Sequence, residues 1–322
     1  MSAMLDDRAD NPRRLRELIE APEIVLAPGA YDCLSARLIE HAGFPVVYMT
    51  GFGTSASYLG RPDVGLLGMS EMVEQARRIV QAVGVPVIAD ADTGYGNAIN
   101  VIRTVQAYED AGVAAIHLED QVSPKRCGHM EGKQLVPPAE MVTKVRAAVA
   151  ARRSPNFTII ARTDARAVEG IEGAIERGAL YRKAGADVLF IEAPETEQDV
   201  EAIATAFSGV PLLFNWAEGG KTPPVPVARL QRLGYRIIIF PIGALLVAAR
   251  AVADLLEVIK REGTPHTSLG KMVPFEAFTT FLGLREIRQL EQRFSGGEAP
   301  ARLAPERGEH DGGGVSESER QQ

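Results

Sequence analysis

The residues able to do chemistry gather in one short stretch, Ala114 to His129. It opens as the apolar run Ala114-Ala115-Ile116 and reaches Glu119-Asp120 where the run stops. Cys127 follows, flanked by Lys125, Arg126 and His129. An unpaired buried charge is costly, so two carboxylates ending an apolar run point to a site. The cations around Cys127 are expected to favour its thiolate and lower its pKa. Gly128 and Gly132 are expected to make the segment a flexible lid that closes over substrate. Asp90 and Asp92 end a second apolar run, Pro86 to Ala89, and complete an all-oxygen set with Glu119. Hard divalent cations take such carboxylates, and Mg²⁺ keeps several waters with one or two direct protein ligands. Zinc would need His or Cys at fixed spacing, for which Cys127 and His129 are too few. Two blander readings stand beside these. One Asp of Asp90-Ala91-Asp92 could cap the following helix, and Cys127 could be an inert loop thiol; Cys33, without such neighbours, is expected to be a structural thiol in the first helix.

The elements that must position these groups repeat one pattern. Short Val/Ile/Leu-rich runs alternate with amphipathic stretches, starting at Ile24–Ala27 (closed by Pro28-Gly29) and ending with a strand at 236–240 and a helix at 243–261. Buried parallel strands read this way, and strict alternation implies a parallel sheet. The eight units expected here argue for an α/β fold of the (β/α)₈ barrel type. A doubly wound open sheet is the rival, but no Gly-x-Gly-x-x-Gly turn follows an early strand. Thr50 to Ser57 is expected to be a Gly/Ser/Thr-rich loop, with Gly51 to Ser55 offering backbone N–H groups to an anion. A helix is expected over 275–294, packing on its own barrel or on a partner chain. The expected organisation is a polar arm and helix at 1–22, a barrel with helical extension at 23–294, and a disordered tail at 295–322.

In such a barrel the polar residues at the strand ends converge on one rim, where active sites of this fold sit. They are Tyr48, Thr50, Asp90, Asp92, Glu119, Asp120, Arg162, Asp164, Glu192 and Asn215. Ion pairs such as Arg162 with Glu192 could also simply close the rim. The formal net charge of −7 and the lack of a basic stripe argue against nucleic acid. No apolar run long enough to span a membrane and no signal-peptide h-region is seen. With two cysteines, the default expectation is a cytoplasmic protein with free thiols.

Six segments carry a family resemblance: Tyr48-Met49-Thr50-Gly51, Asp90 to Gly96, His117 to Gln121, Lys125 to His129, Ala161 to Ala165 and Glu218 to Pro223. The chain from about 28 to 294 resembles the isocitrate lyase/phosphoenolpyruvate mutase superfamily. Its Lys-Arg-Cys-Gly-His segment resembles the lyase branch, which includes methylisocitrate and dimethylmalate lyases. The resemblance implies a barrel, bound Mg²⁺ (or Mn²⁺), and homotetramers with the eighth helix swapped between subunits. It also implies roles. Asp90 resembles the direct metal ligand, and Asp92 and Glu119 the holders of its waters. Thr50, Gly51 and Phe52 occupy the segment whose amides bind a substrate carboxylate, and Arg162 resembles the residue binding the oxo-acid carboxylate. Glu192 and Asn215 resemble pocket residues, and Tyr48 the group handling the hydroxyl proton. Cys127 resembles the proton donor, with Lys125 and His129 beside it.

Two departures matter. Thr50-Gly51-Phe52 replaces the Ser-Gly-Gly of methylisocitrate lyases, and Leu246 stands where those enzymes tend to carry Arg. Loss of that cation argues against a third substrate carboxylate and, together with Glu218 to Pro223, favours dimethylmalate or alkylmalate lyases and phosphonate-handling relatives. The expected activity is Mg²⁺-dependent cleavage of a small di- or tricarboxylate bearing a 2-hydroxyl, releasing a 2-oxo acid. The rivals are a phosphonomutase or phosphonopyruvate hydrolase, an oxaloacetate decarboxylase, and a carboxylate-binding protein without turnover.

Overall fold

The computed structural model describes residues 10–295. The arm before Asp10 and the tail expected over 295–322, Ser295 excepted, lie outside the described residues. The chain divides after Thr264 into two compact units.

In the first unit, α1 (Asn11–Glu20) precedes eight strands. They are β1 (Val25–Ala30), β2 (Val47–Met49), β3 (Val87–Asp90), β4 (Ala115–Glu119), β5 (Thr158–Thr163), β6 (Val188–Ile191), β7 (Leu212–Asn215) and β8 (Tyr235–Phe240). All pair in parallel, in sequence order, and β8 closes on β1 through Val25–Ile237 to Pro28–Phe240. The helices between and after them are α2 (Cys33–His41), α3 (Gly51–Leu59), α4 (Met69–Ala82), α5 (Ala98–Asp110), α6 (Pro138–Ala151), α7 (Arg166–Ala184), α8 (Glu197–Ala206), α9 (Val227–Arg232) and α10 (Gly243–Glu262). This is the (β/α)₈ barrel the alternation predicts.

Side chains alternate across each strand, and two cores result. Tyr48, Ile88, Ala115, Ile160, Phe190, Leu213 and Ile237 point inward, over a floor made by Leu15 and Ile19 of α1. Burying each floor residue contributes about 1.5–3 kcal/mol. Met49, Ile116, Leu118, Ile159 and Leu189 point outward against Met72, Ile79, Val105, Met141 and Tyr181 of the helices. The same alternation places His117 and Glu119 on the inward face of β4 and brings them to the rim.

Three local expectations are corrected. β1 does not stop at Pro28-Gly29 but runs on to Ala30, because Gly29 lets β1 pass the Pro241 backbone, where a Cβ would lie 2.2 Å from the carbonyl oxygen. The expected loop after β2 is the helix α3, started by the Thr50 hydroxyl, which accepts from the Gly53 N–H at 3.2 Å. In the second unit, the single helix expected over 275–294 is two, α11 (Phe275–Phe281) and α12 (Leu284–Phe294), broken where Gly283 turns left-handed at φ 91°.

One helix is unlike its neighbours. No residue of α10 is buried: Val252, Leu256 and Ile259, which share one apolar face, are exposed, as are Leu246 and Val247. A barrel helix ordinarily buries such a stripe.

Candidate active site

The strand ends enclose a cavity of about 190 Å³ at the C-terminal rim. Its walls include Tyr48, Thr50, Phe52, Asp90, Arg162, Glu192 and Asn215, joined by Cys127, His129 and Met130 from the loop after β4 and by Pro241 and Ile242 after β8. Nine residues expected at the site thus share one cavity: Tyr48, Thr50, Phe52, Asp90, Cys127, His129, Arg162, Glu192 and Asn215. Gly51, Asp92, Glu119 and Lys125 do not line it.

Arg162 is the electrostatic centre. It bonds both oxygens of Asp164, at 3.0 and 3.1 Å, and lies 3.3 Å from Glu119 and 3.7 Å from Glu192. Burial opposes ionisation of Glu192, but Arg162, then His129, outweigh it and hold this carboxyl far below the ordinary range. Asn215 donates to both Glu192 oxygens, at 3.1 and 3.3 Å. Rim ion pairing, the blander reading of these residues, is therefore present, but around a cavity rather than filling one.

The carboxylates of β3 and β4 behave differently from one another. Burial works against Asp90, yet the cations facing it, Lys125 and Arg162 among them, lower its pKa. Burial dominates at Asp92, pushed up to about 6, and at Glu119, raised well above the carboxylate range. Neither Asp caps the next helix. Asn97 does, its side chain accepting from Ile99 and Asn100 N–H at 2.9 and 3.3 Å. Glu119 Oε1 is buried without a hydrogen-bond partner, whereas Glu119 Oε2 faces Arg162 at 3.3 Å and Asp92 Oδ1 faces Lys125 at 2.9 Å. Among the described residues, no three carboxylate, imidazole or thiol groups stand close enough to hold a metal ion directly. An ionised, buried Asp90 with an unpartnered Glu119 oxygen nearby fits a hard cation that has few protein ligands and keeps its waters.

Sequence reasoning missed His117. It is fully buried, its Nε2 lies 2.9 Å from the Tyr48 hydroxyl and 3.7 Å from Asp90 Oδ1, and its Nδ1 has no partner. Burial lowers its pKa, so the imidazole is neutral, and burial raises the Tyr48 phenol well above its usual value. The signal was its place two residues before Glu119 on the same strand face.

The anion-binding amides are fewer than expected. The Thr50 N–H is taken by the Ala30 carbonyl at 3.1 Å, which corrects its assignment as a carboxylate donor. Gly51 and Phe52 open α3, and first-turn amides have no partner within a helix. A Cβ on Gly51 would sit 2.3 Å from Asp90 Oδ2, so only glycine allows α3 to start against that carboxylate.

The loop after β4 lies over the cavity. A Cβ on Gly128 would meet the Arg162 guanidinium at 2.5 Å and Glu192 at 2.6 Å. His129 Nδ1 accepts the Lys221 N–H at 3.2 Å, which leaves Nε2 to carry the proton toward Glu192 Oε1 at 3.0 Å. The thiol expectation is corrected. Burial raises the Cys127 pKa, with the His129 backbone N–H acting weakly against it. The neighbours in sequence are engaged elsewhere. Lys125 is buried and paired with Asp63 at 2.6 Å and Asp92 at 2.9 Å, and the Arg126 guanidinium donates to the Glu131 carbonyl at 3.0 Å. Cys127 is therefore a protonated thiol, and Lys125 is a tether from the loop to the carboxylates. Asp63, also missed, receives that tether and accepts the Cys127 N–H through its carbonyl at 3.2 Å. Lying on a loop between two helices, it carries no strand-end signal.

Comparison with known proteins places this arrangement. Residues 15–260 match the family described as phosphoenolpyruvate phosphomutase. The chain belongs to that family. It is 51% identical over 284 residues to the 2,3-dimethylmalate lyase of Eubacterium barkeri, covering 88% of this chain and 98% of that protein. It is 44% identical over 281 residues to the 2-methylisocitrate lyase of Aeropyrum pernix, covering 87% and 90%. A crystal structure of a 2,3-dimethylmalate lyase, described as a PEP mutase/isocitrate lyase superfamily member, superposes with a TM-score of 0.85 at 40% identity, covering 91% of this chain and all (100%) of the other. The family motifs read from the sequence all fall at this rim. Leu246 does not: it is 47% exposed on α10 and does not line its own chain's cavity. In the cavity walls, Arg162 is the one Lys or Arg among the described lining residues.

Proposed function

We propose that this family member is a carbon–carbon lyase that splits a 2-hydroxy dicarboxylate of the alkylmalate type into a 2-oxo acid and a second carboxylate. The observation that carries the reading is a thiol, Cys127, on a loop folded over a cavity with one strong cation, Arg162. Similarity to lyases at 51% and 44% identity supports the class, and Phe52, Pro241 and Ile242 offer apolar wall for alkyl groups.

Asp90 would hold Mg²⁺ (or Mn²⁺) directly, with Asp92 and Glu119 holding its waters. When bound, the metal supplies Lewis acidity at the substrate's C1 carboxylate and C2 oxygen. Arg162 and the Gly51 and Phe52 amides bind carboxylate. Tyr48 is too weak an acid to rest as phenolate, so it accepts the hydroxyl proton only by passing its own to a neighbour. Neutral His117, 2.9 Å away, is that neighbour. As the C2–C3 bond breaks, its electron pair stays with C3 of the departing carboxylate, and the Cys127 S–H protonates that carbon.

A coupled assay for 2-oxo acid release over alkylmalates, methylisocitrate, isocitrate and oxaloacetate tests this. Release is expected from an alkylmalate, abolished by EDTA and restored by Mg²⁺, with phosphonopyruvate unchanged by phosphorus NMR. Phosphorus–carbon cleavage, or silence toward every hydroxy acid, overturns it. The same reading makes the protein a cytoplasmic homotetramer in which a second copy covers the exposed apolar face of α10. Light scattering is expected to give four copies per particle, and a stable monomer would remove that part of the proposal.

A further inference from the structure

Lys133 has no part in the mechanism above, yet it is 9% exposed and its ammonium is buried. It donates to Asp164 Oδ1 at 3.1 Å and to the Gly128 carbonyl of the loop over the cavity. A buried ammonium requires a counter-charge, and Asp164 supplies it. The bond to Gly128 is an additional, directional contact. It reaches back five residues along the chain, from a point that is itself fixed. Beside Lys133 the loop's two stems pair: Val122 N–H donates to the Gln134 carbonyl at 2.8 Å, Gln121 bridges Leu135, and Val136 N–H donates to the Asp120 carbonyl at 2.9 Å. The other side of the loop is held by the Gln121 side-chain amide, which both donates to and accepts from the Arg126 backbone, at 2.8 and 2.9 Å.

We propose that Lys133 is the latch of this lid: a positioning residue that stands fixed on Asp164 and grips the Gly128 carbonyl when the lid is down. The inference rests on the lyase reading. The Gly128 carbonyl belongs to the peptide joining residues 128 and 129, so holding it sets Cys127 on one side and His129 on the other. Asp164 Oδ1 also accepts from Arg162 Nη2 at 3.1 Å, so the latch and the substrate-binding cation share one oxygen. Lifting the lid releases the carbonyl, while the Lys133–Asp164 pair stays with the barrel.

Lys133→Met removes the donor while Asp164 keeps the Arg162 fork. The expected result is a kcat lower by roughly 10- to 100-fold, the size of one lost charged hydrogen bond, with KM changed by no more than about threefold. A role confined to steadying Arg162 through Asp164 would instead raise KM. Lid closure is read separately, by trypsin cleavage after Arg126 with and without oxalate and Mg²⁺. Oxalate is expected to protect the wild type strongly and the Met variant little. Wild-type kcat and wild-type protection in Lys133→Met overturn the latch. Should that variant not fold, Lys133→Arg decides. It keeps the charge against Asp164 but displaces the donor, so weakened protection supports the latch and full protection overturns it. A wild type that releases no 2-oxo acid refutes the lyase reading alone, and the trypsin arms still judge the latch.

Discussion

Arg162→Met is expected to lower stability by about 3–5 kcal/mol, the usual cost of removing one partner from a buried charge cluster. For a chain of this size that is a fall in Tm on the order of 10 °C. The guanidinium faces Asp164, Glu119 and Glu192, all fully or nearly fully buried, and stacks 5.2 Å above the Phe190 ring. Methionine fills the volume but removes the guanidinium from Glu119 and Glu192 and leaves Asp164 with Lys133 alone. The effect has a pH signature. In the wild type, the depressed Glu192 carboxyl contributes stability that is present above the ordinary carboxylate pKa and lost only in strong acid. Without Arg162, desolvation raises the buried carboxyls. The folded state then binds more protons than the unfolded one, and stability increases as pH falls. Melts at pH 7 and pH 5 should therefore show the gap to wild type narrowing on acidification. Activity should fall further than folding does, on the order of 10²- to 10⁴-fold in kcat/KM for two charged hydrogen bonds to a carboxylate. A variant with wild-type kcat/KM would take Arg162 out of substrate binding.

Cys127→Ser is expected to leave the fold intact and lower kcat by roughly 10²- to 10⁴-fold, the usual contribution of a positioned general acid. The residue's fixed contacts are backbone ones, its N–H to the Asp63 carbonyl at 3.2 Å and its carbonyl from Met130 N–H at 2.8 Å, and serine keeps both. What changes is acidity. A hydroxyl at the same place gives up its proton far less readily to a carbanion. The raised thiol pKa fixes the sign of the pH dependence. The wild-type rate should be level through neutrality, where the S–H is intact, and should fall only in alkali as the proton is lost. The serine variant should lack that alkaline limb. Full kcat in Cys127→Ser would remove the thiol from the reaction.

How far the residues disclosed this follows from what each signal depends on. The barrel was legible because eight short β-branched runs and their helices are local patterns, and because period-two alternation carries Asp90, Glu119 and Arg162 to one rim. α3 was not legible. Gly51, Gly53, Thr54 and Ser55 have the composition of a loop, and only the Thr50 cap, a three-dimensional contact, makes them a helix. The α11–α12 break turned on the single backbone angle of Gly283. At the site, chain neighbours were mistaken for neighbours in space. Lys125 and Arg126 adjoin Cys127 in sequence, yet one ammonium is held by Asp63 and Asp92 and the other cation by a carbonyl. The thiol is governed by burial, which adjacency does not reveal. Asp63 and Lys133 lie off the strand ends, so the rule that found the other groups could not find them.

Gly128 carries a further consequence for the scaffold as a unit of exchange. The lid is contiguous in sequence, but what holds it is scattered: the close fit on Arg162 and Glu192, Asp164 through Lys133, Lys221 through His129, and Asp63 through Lys125. It is not a portable module. A homologous segment grafted onto this barrel would arrive without the β5, β6 and β7 loop residues that complete it, and chimaeras cut at its stems should lose more than either parent. Substrate range can drift with less disruption on the opposite wall, at Phe52, Pro241 and Ile242, whose side chains border the cavity at the ends of β2 and β8.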